Sequence, residues 1–212
     1  MKKNVLFLIL AVMHVAAFGQ TAEPLSDVKS QEVMATLTQA AASMQTMQCR
    51  FVQRKTMAML AEPSISEGSM LYAAPDKMRW EYTTPYSFAL IVNGEQLVRV
   101  TEGQSEVMDA KQSRMYKGMS DLIMGSASGK KLFDTSVFDI QLYDDGSLWR
   151  AVMLPLRKDM KRMFAKLVFR FDKKTGVISS VEFEEAKGDV TLIQFEDIRQ
   201  NIWPIDEGLF KP

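Results

Sequence analysis

The chain has 212 residues, with 26 basic and 26 acidic side chains, one histidine and one cysteine. That balance leaves no electrostatic footprint for a nucleic-acid partner or an anionic membrane surface. The histidine, His14, lies in an apolar N-terminal run, and its expected loss removes Ser-His-Asp and Cys-His catalysis and the usual zinc sites.

The run itself reads as a signal peptide over residues 1–19. Lys2 and Lys3 form a basic start, residues 5–18 are apolar apart from His14, and Ala17-Phe18-Gly19 places small residues for cleavage before Gln20. Residues 20–212 are then expected to be one exported, soluble domain. Removing Lys2 and Lys3 leaves 24 basic residues against 26 acidic ones, and 14 of the 16 methionines remain. Methionine either fills gaps in a core or lines surfaces that accept ligands of variable shape. Cys49 lies too far from the cleavage point to carry a lipid anchor, cannot form an internal disulfide, and reads as a small buried or half-buried thiol.

Residues 27–47 have a helical apolar spacing, Val33, Leu37, Ala40, Ala41 and Met44, with Ser26 or Asp27 as cap. A strand over 50–56 and a loop through Pro63 follow. Met70, Tyr72 and Ala74 alternate with Leu71 and Ala73, and Met78, Trp80 and Tyr82 alternate with Lys77, Arg79 and Glu81, the period of half-buried strands. Residues 88–92 and 96–100 flank Asn93-Gly94, a strong hairpin signal. A weaker strand is expected near 106–109. Met115, Met119, Leu122 and Ile123 then have helical spacing, and residues 125–129 read as a flexible loop. Strands resume over 137–143, 147–155, 165–171, 177–185 and 190–198. Consecutive hairpins of about ten strands imply an antiparallel meander curling into a barrel or half-barrel.

One face of this meander is rich in large apolar side chains, among them Phe51, Met70, Tyr72, Met78, Trp80, Tyr82, Phe88, Leu90, Val92, Val98 and Val100. Two helical segments are too little to cover a concave face of that extent, so a cavity able to accept hydrocarbon is expected. Other chemistry is weakly supported. Gly125 to Lys131 lacks the spacing and the hydroxyl of a phosphate loop. The carboxylates Asp144, Asp145, Glu182, Glu184 and Glu185 read as solvated strand residues before they read as an acid–base pair. No cofactor is implied. The basic stretch 156–166 is either a solvated loop or a docking patch for an acidic partner or for lipid headgroups.

The succession Phe51-x-Gln53, Gly68-x-Met70-x-Tyr72-x-x-Pro75-x-Lys77-Met78-Arg79-Trp80-Glu81-Tyr82-x-x-Pro85 and Ile91-Val92-Asn93-Gly94 resembles the LolA family of periplasmic lipoprotein carriers. Gly176, Gly188-Asp189, Phe195-x-x-Ile198-x-x-Asn201 and the ending Leu209-Phe210-x-Pro212 fit the same pattern. The resemblance implies a mainly β fold: an unclosed antiparallel half-barrel with helices as a lid over its apolar concave face. It also implies a monomeric, non-enzymatic carrier of acylated lipoproteins, loaded by an inner-membrane ABC transporter and unloaded to an outer-membrane acceptor. Met78 and Trp80 fall where family members line the cavity, whereas Ala74 stands where the family often has an arginine that latches the lid. The expected pocket is Met70, Tyr72, Met78, Trp80, Tyr82, Phe88 and Leu90 from the sheet, with Met119, Leu122 and Ile123 from the lid. A lipid- or lipoprotein-sensing module, and a carrier of another amphiphile such as a glycolipid, are the alternatives on the same fold.

Overall fold

The computed structural model describes residues 23–108 and 132–211. The expected signal peptide, the helical spacing over 115–123 and the loop over 125–129 lie outside the described residues. After helix α1 (Asp27–Ala42) come eleven strands: β1 (Thr46–Thr56), β2 (Ser64–Ala73), β3 (Lys77–Thr84), β4 (Phe88–Asn93), β5 (Gln96–Thr101), β6 (Gln104–Val107), β7 (Phe138–Asp145), β8 (Leu148–Pro155), β9 (Phe164–Asp172), β10 (Ile178–Glu185) and β11 (Val190–Gln200). They form one antiparallel sheet in the order β6-β5-β4-β3-β2-β1-β11-β10-β9-β8-β7. Every neighbour is the preceding or following strand, except where β1 pairs with β11 and joins the two meanders. The sheet is unclosed, with β6 and β7 at its two ends.

Helix α1 is shorter than its apolar spacing suggests. Ser26 caps its start, with Oγ accepting from the backbone N–H of Lys29 at 3.4 Å, and Val33, Leu37 and Ala41 face the core. It ends at Ala42 because the next residues serve the sheet. The carbonyl of Gln45 accepts from the backbone N–H of Ala74, and that of Thr46 from Asn201. The Asn201 side chain accepts from the N–H of Gln45 at 2.8 Å. Backbone groups committed to those partners cannot also close helical turns.

Turn chemistry decides which side chains point inward. Asn93 pairs with Gln96, so the two-residue loop is Gly94-Glu95, with Gly94 at φ 61°. Glycine at the first loop position suits a type II′ turn. The resulting register sets Leu97 opposite Val92, on the concave face, and Val98 opposite Ile91, on the outer face. Val98 and Val100 therefore do not belong to the concave set, contrary to the sequence expectation. They join Ala73, Ile91 and Leu71 in a second, outer cluster closed by Ile205 and Phe210 of the C-terminal segment. The carbonyl of Leu209 accepts from Arg79 and that of Phe210 from Asn93, while Glu207 pairs with Lys77.

The main core lies on the concave face. At its β7–β11 end Leu142, Ala151, Met153, Leu167, Phe169, Phe171, Phe183 and Ile193 share one cluster with Val33 and Leu37 of α1. The helix sits close there: a Cβ built on Gly176 would lie 2.6 Å from the Cβ of Ala40. Gly176 also has φ +70°, so both space and backbone favour glycine in that turn.

Candidate functional site

The concave face of β1–β5 is organised in three cross-strand rows. Met47, Tyr72, Met78, Val92 and Leu97 form the first, and Cys49, Met70, Trp80 and Leu90 the second. The third runs Phe195, Phe51, Gly68, Tyr82, Phe88. At Gly68 this row has no side chain, and the Phe51 ring crosses the gap. It stacks on Trp80 at 4.2 Å between centroids and meets the edge of Tyr82 at 5.2 Å. Tyr82 in turn stacks on Phe88 at 4.6 Å, and Trp80 meets Phe195 edge-on at 6.1 Å. Each such pair is worth about 0.5–1.5 kcal/mol beyond its buried area, so the wall is a rigid aromatic ladder rather than a loose apolar surface.

Beside this ladder lies a cavity of about 510 Å³, within the range of about 300–1,000 Å³ common for ligand sites. Met78, Trp80, Tyr82, Phe88, Leu90, Val92 and Leu97 form its sheet wall. Gln53, Lys55, Ser66 and Thr191 line it from other strands, with Thr84 at the end of β3 and Pro85 and Tyr86 from the β3–β4 turn. Its far side is Arg162, Met163 and, at the start of β9, Phe164, with Glu185 at the end of β10 and Ala186 and Lys187 from the β10–β11 turn. The N–H of Ala186 donates to the carbonyl of Met163 at 3.0 Å and ties those two segments together.

Of the sheet residues expected in the pocket, Met78, Trp80, Tyr82, Phe88 and Leu90 are on this wall. Met70 and Tyr72 share the same face but are not lining residues; each is 1% exposed within the packed core. They pair across β1–β2 with Cys49 and Met47 and belong with them to the main core cluster. Met119, Leu122 and Ile123 lie outside the described residues.

Polar groups on the wall are few and mostly partnered. The Tyr82 hydroxyl donates to Gln53 Oε1 at 2.9 Å. Lys55 Nζ donates to Glu185 Oε1 at 2.9 Å. The indole N–H of Trp80 is buried and has no hydrogen-bond partner among the described residues. Ala74 is half-buried against the main core, and its backbone N–H donates to the Gln45 carbonyl at 2.8 Å. Cys49 is buried at the end of the second row, and burial pushes its thiol pKa up to about 12.

The carboxylate clusters do not form acid–base pairs. Glu182 faces Arg170, Glu184 faces Lys166 and Glu185 faces Lys55. Asp144 pairs with Lys173 and Asp145 with Arg150, so each carboxylate meets a cation rather than a second acid. Among the described residues no group of three or more His, Cys, Asp or Glu is placed to hold a metal ion.

The family model described as outer membrane lipoprotein carrier protein LolA matches residues 42–212. This chain belongs to the LolA family. The matched span contains every cavity-lining residue, from Gln53 to Thr191. LolA-family relatives include an outer-membrane lipoprotein carrier protein of Cupriavidus necator, 24% identical over 200 residues, covering 92% of this chain and 83% of that one. Another, from Methylibium petroleiphilum, is 26% identical over 178 residues, 84% of each chain. Among solved structures, an uncharacterized conserved protein from Thermus thermophilus aligns with a TM-score of 0.53 at 10% identity, covering 87% of this chain and 93% of that one. The complex of Pseudomonas aeruginosa MucA/MucB aligns with a TM-score of 0.52 at 14% identity, covering 85% of this chain and 60% of that one. At those identities the likeness is one of fold.

Sequence reasoning misses the far side of the cavity. Residues 162–164 and 185–187 come from segments around turns, with no periodicity to mark them. The basic character of 156–166 marks the first segment, and in the second the sequence singles out only the carboxylate Glu185.

Proposed function

We propose that this LolA-family chain is a periplasmic carrier that shelters lipoprotein acyl chains in the cavity beside β3–β5. It would take them from an inner-membrane ABC transporter and give them to an outer-membrane acceptor, working as a monomer and without covalent chemistry. The observation that carries this reading is a hydrocarbon-lined cavity on the concave face, within the family-matched span. Each acyl CH₂ left in water costs about 0.8 kcal/mol, so a lipid anchor crosses an aqueous compartment only if protein covers it. An aromatic and Met-lined wall accepts flexible chains by dispersion, without the directional bonds that would select one headgroup.

The test is addition of the purified mature chain to spheroplasts with an active transporter. Release of outer-membrane lipoproteins into solution, in complex with this protein, is the expected result. Absence of release overturns the carrier reading. Recovery of a glycolipid in place of lipoprotein would replace the cargo class.

A further inference from the structure

The mouth of the cavity carries positive charge that no described residue neutralises. Arg162 and Lys187 both line the cavity, on segments joined by the Ala186–Met163 backbone hydrogen bond, and both are exposed. Neither has an ion-pair or hydrogen-bond partner among the described residues, although carboxylates stand nearby. Those carboxylates are already engaged. Glu185 receives Lys55 at 2.9 Å. Asp189 accepts from the N–H of Ala58 at 3.0 Å and lies 4.0 Å from Lys55. Asp159 is taken by Arg157 at 2.6 Å.

From this arrangement we infer that the mouth binds acidic residues of the cargo polypeptide immediately after its acylated cysteine. The inference rests on the carrier reading. If acyl chains occupy the apolar part, the attached polypeptide has to leave through the polar rim, past these two cations. The acylated cysteine itself offers esters and amides there, with no charge to match. Carboxylates one or a few residues downstream would meet Arg162 and Lys187 beside a low-dielectric wall, where opposite charges attract more strongly than in open water. Basic residues at the same positions would be repelled. Cargo preference would thus be set by charge next to the lipid anchor, while the aromatic wall supplies sequence-independent affinity.

The experiment compares palmitoylated Cys-Ser peptides followed by four Glu, four Gly or four Lys. Each displaces a hydrophobic dye from the purified full chain at low and at moderate salt. The Glu lipopeptide should bind roughly three- to tenfold more tightly than the Gly lipopeptide at low salt, from two exposed pairs, with the Lys lipopeptide weakest. Salt should compress the order. Arg162→Gln with Lys187→Gln should level the three, and Arg162→Glu with Lys187→Glu should invert them, with the thermal midpoint unchanged because both side chains are exposed. Equal affinities in the unaltered protein overturn the inference and leave the carrier reading intact. Failure of all three lipopeptides to bind overturns the carrier reading and this inference with it. Phosphatidylglycerol serves as the competing arm. If it matches the Glu lipopeptide and loses affinity equally on charge reversal, the mouth reads lipid phosphate and the inference is overturned.

Discussion

Phe51 on β1 stands directly opposite Gly68 on β2, and its ring occupies the space that a side chain at 68 would fill. A Cβ built on Gly68 would fall 2.7 Å from Phe51 Cζ and 1.9 Å from the carbonyl oxygen of Glu81. The missing side chain is what lets an aromatic ring on β1 reach partners on β3. Gly68→Ala therefore disturbs both the ladder and the β2–β3 pairing, which already shifts register between Glu67 and Gly68. Overpacking usually costs about 1–3 kcal/mol, and a backbone clash places this case at or above the top of that range. Urea denaturation of Gly68→Ala should show a loss of about 3 kcal/mol or more. A loss under about 1 kcal/mol would mean that β2 and β3 separate freely at this point.

The cavity beside that ladder is open to a different manipulation. Leu90 sits on its wall, paired with Trp80, and is 8% exposed. Leu90→Trp directs a larger side chain into existing space instead of into a packed layer. Binding of a palmitoylated lipopeptide should weaken by about tenfold or more, close to 1.4 kcal/mol, while the thermal midpoint stays near that of the unaltered chain. Unchanged lipopeptide affinity with the tryptophan in place would show that acyl chains lie elsewhere.

Alternation along β3 identifies Met78, Trp80 and Tyr82 as one face, because strand period is a purely local property. The same reasoning misplaces Val98 and Val100, since a single residue of register at Gly94-Glu95 exchanges inside for outside. For Met70 and Tyr72 it finds the face they share with Met78 and Trp80, whereas their depth within the core is set by packing between strands and has no local signature. Arg162 and Lys187 cannot be paired from sequence. Both flank the open end of the β9–β10 hairpin, where Phe164 pairs with Glu185, but a register shift between Glu184 and Glu185 and the Ala186–Met163 backbone hydrogen bond set their placement there, and neither has a local signature. The end of α1 is hidden for a related reason: the partners of Gln45 and Thr46, Ala74 and Asn201, are distant in the chain.

Trp80 is 3% exposed, and its indole N–H has no partner among the described residues. A buried donor left unmade costs about 1–3 kcal/mol. Trp80→Phe removes that donor while keeping a ring to stack on Phe51, so its net cost should be small, under about 1.5 kcal/mol by chemical denaturation. Trp80→Ala deletes the ring and should cost about 3–5 kcal/mol. Near-equal losses for the two variants would show that the indole N–H does have a partner in solution.

Cys49 gives a pH-dependent test of the core beneath the second row. It is 3% exposed, and burial raises its thiol from the ordinary 9.0 to about 12. The folded chain thus holds this proton more tightly than the unfolded chain does. Below about pH 9 both states are protonated and the thiol contributes no pH dependence. As pH rises from about 9 towards 12, the unfolded chain releases the proton first, and folding stability falls. Lysines and tyrosines titrate in the same window, so the informative quantity is the difference between the unaltered chain and Cys49→Ala. That difference should be constant up to about pH 9 and should then change against the unaltered chain as pH rises. The folded protein should also resist thiol-alkylating reagents at about pH 8 and react on unfolding, because the thiolate is the nucleophile and burial suppresses it. Rapid alkylation of the folded chain, or a stability difference that stays flat above about pH 9, would place Cys49 in contact with water and open the packing between β1 and β2.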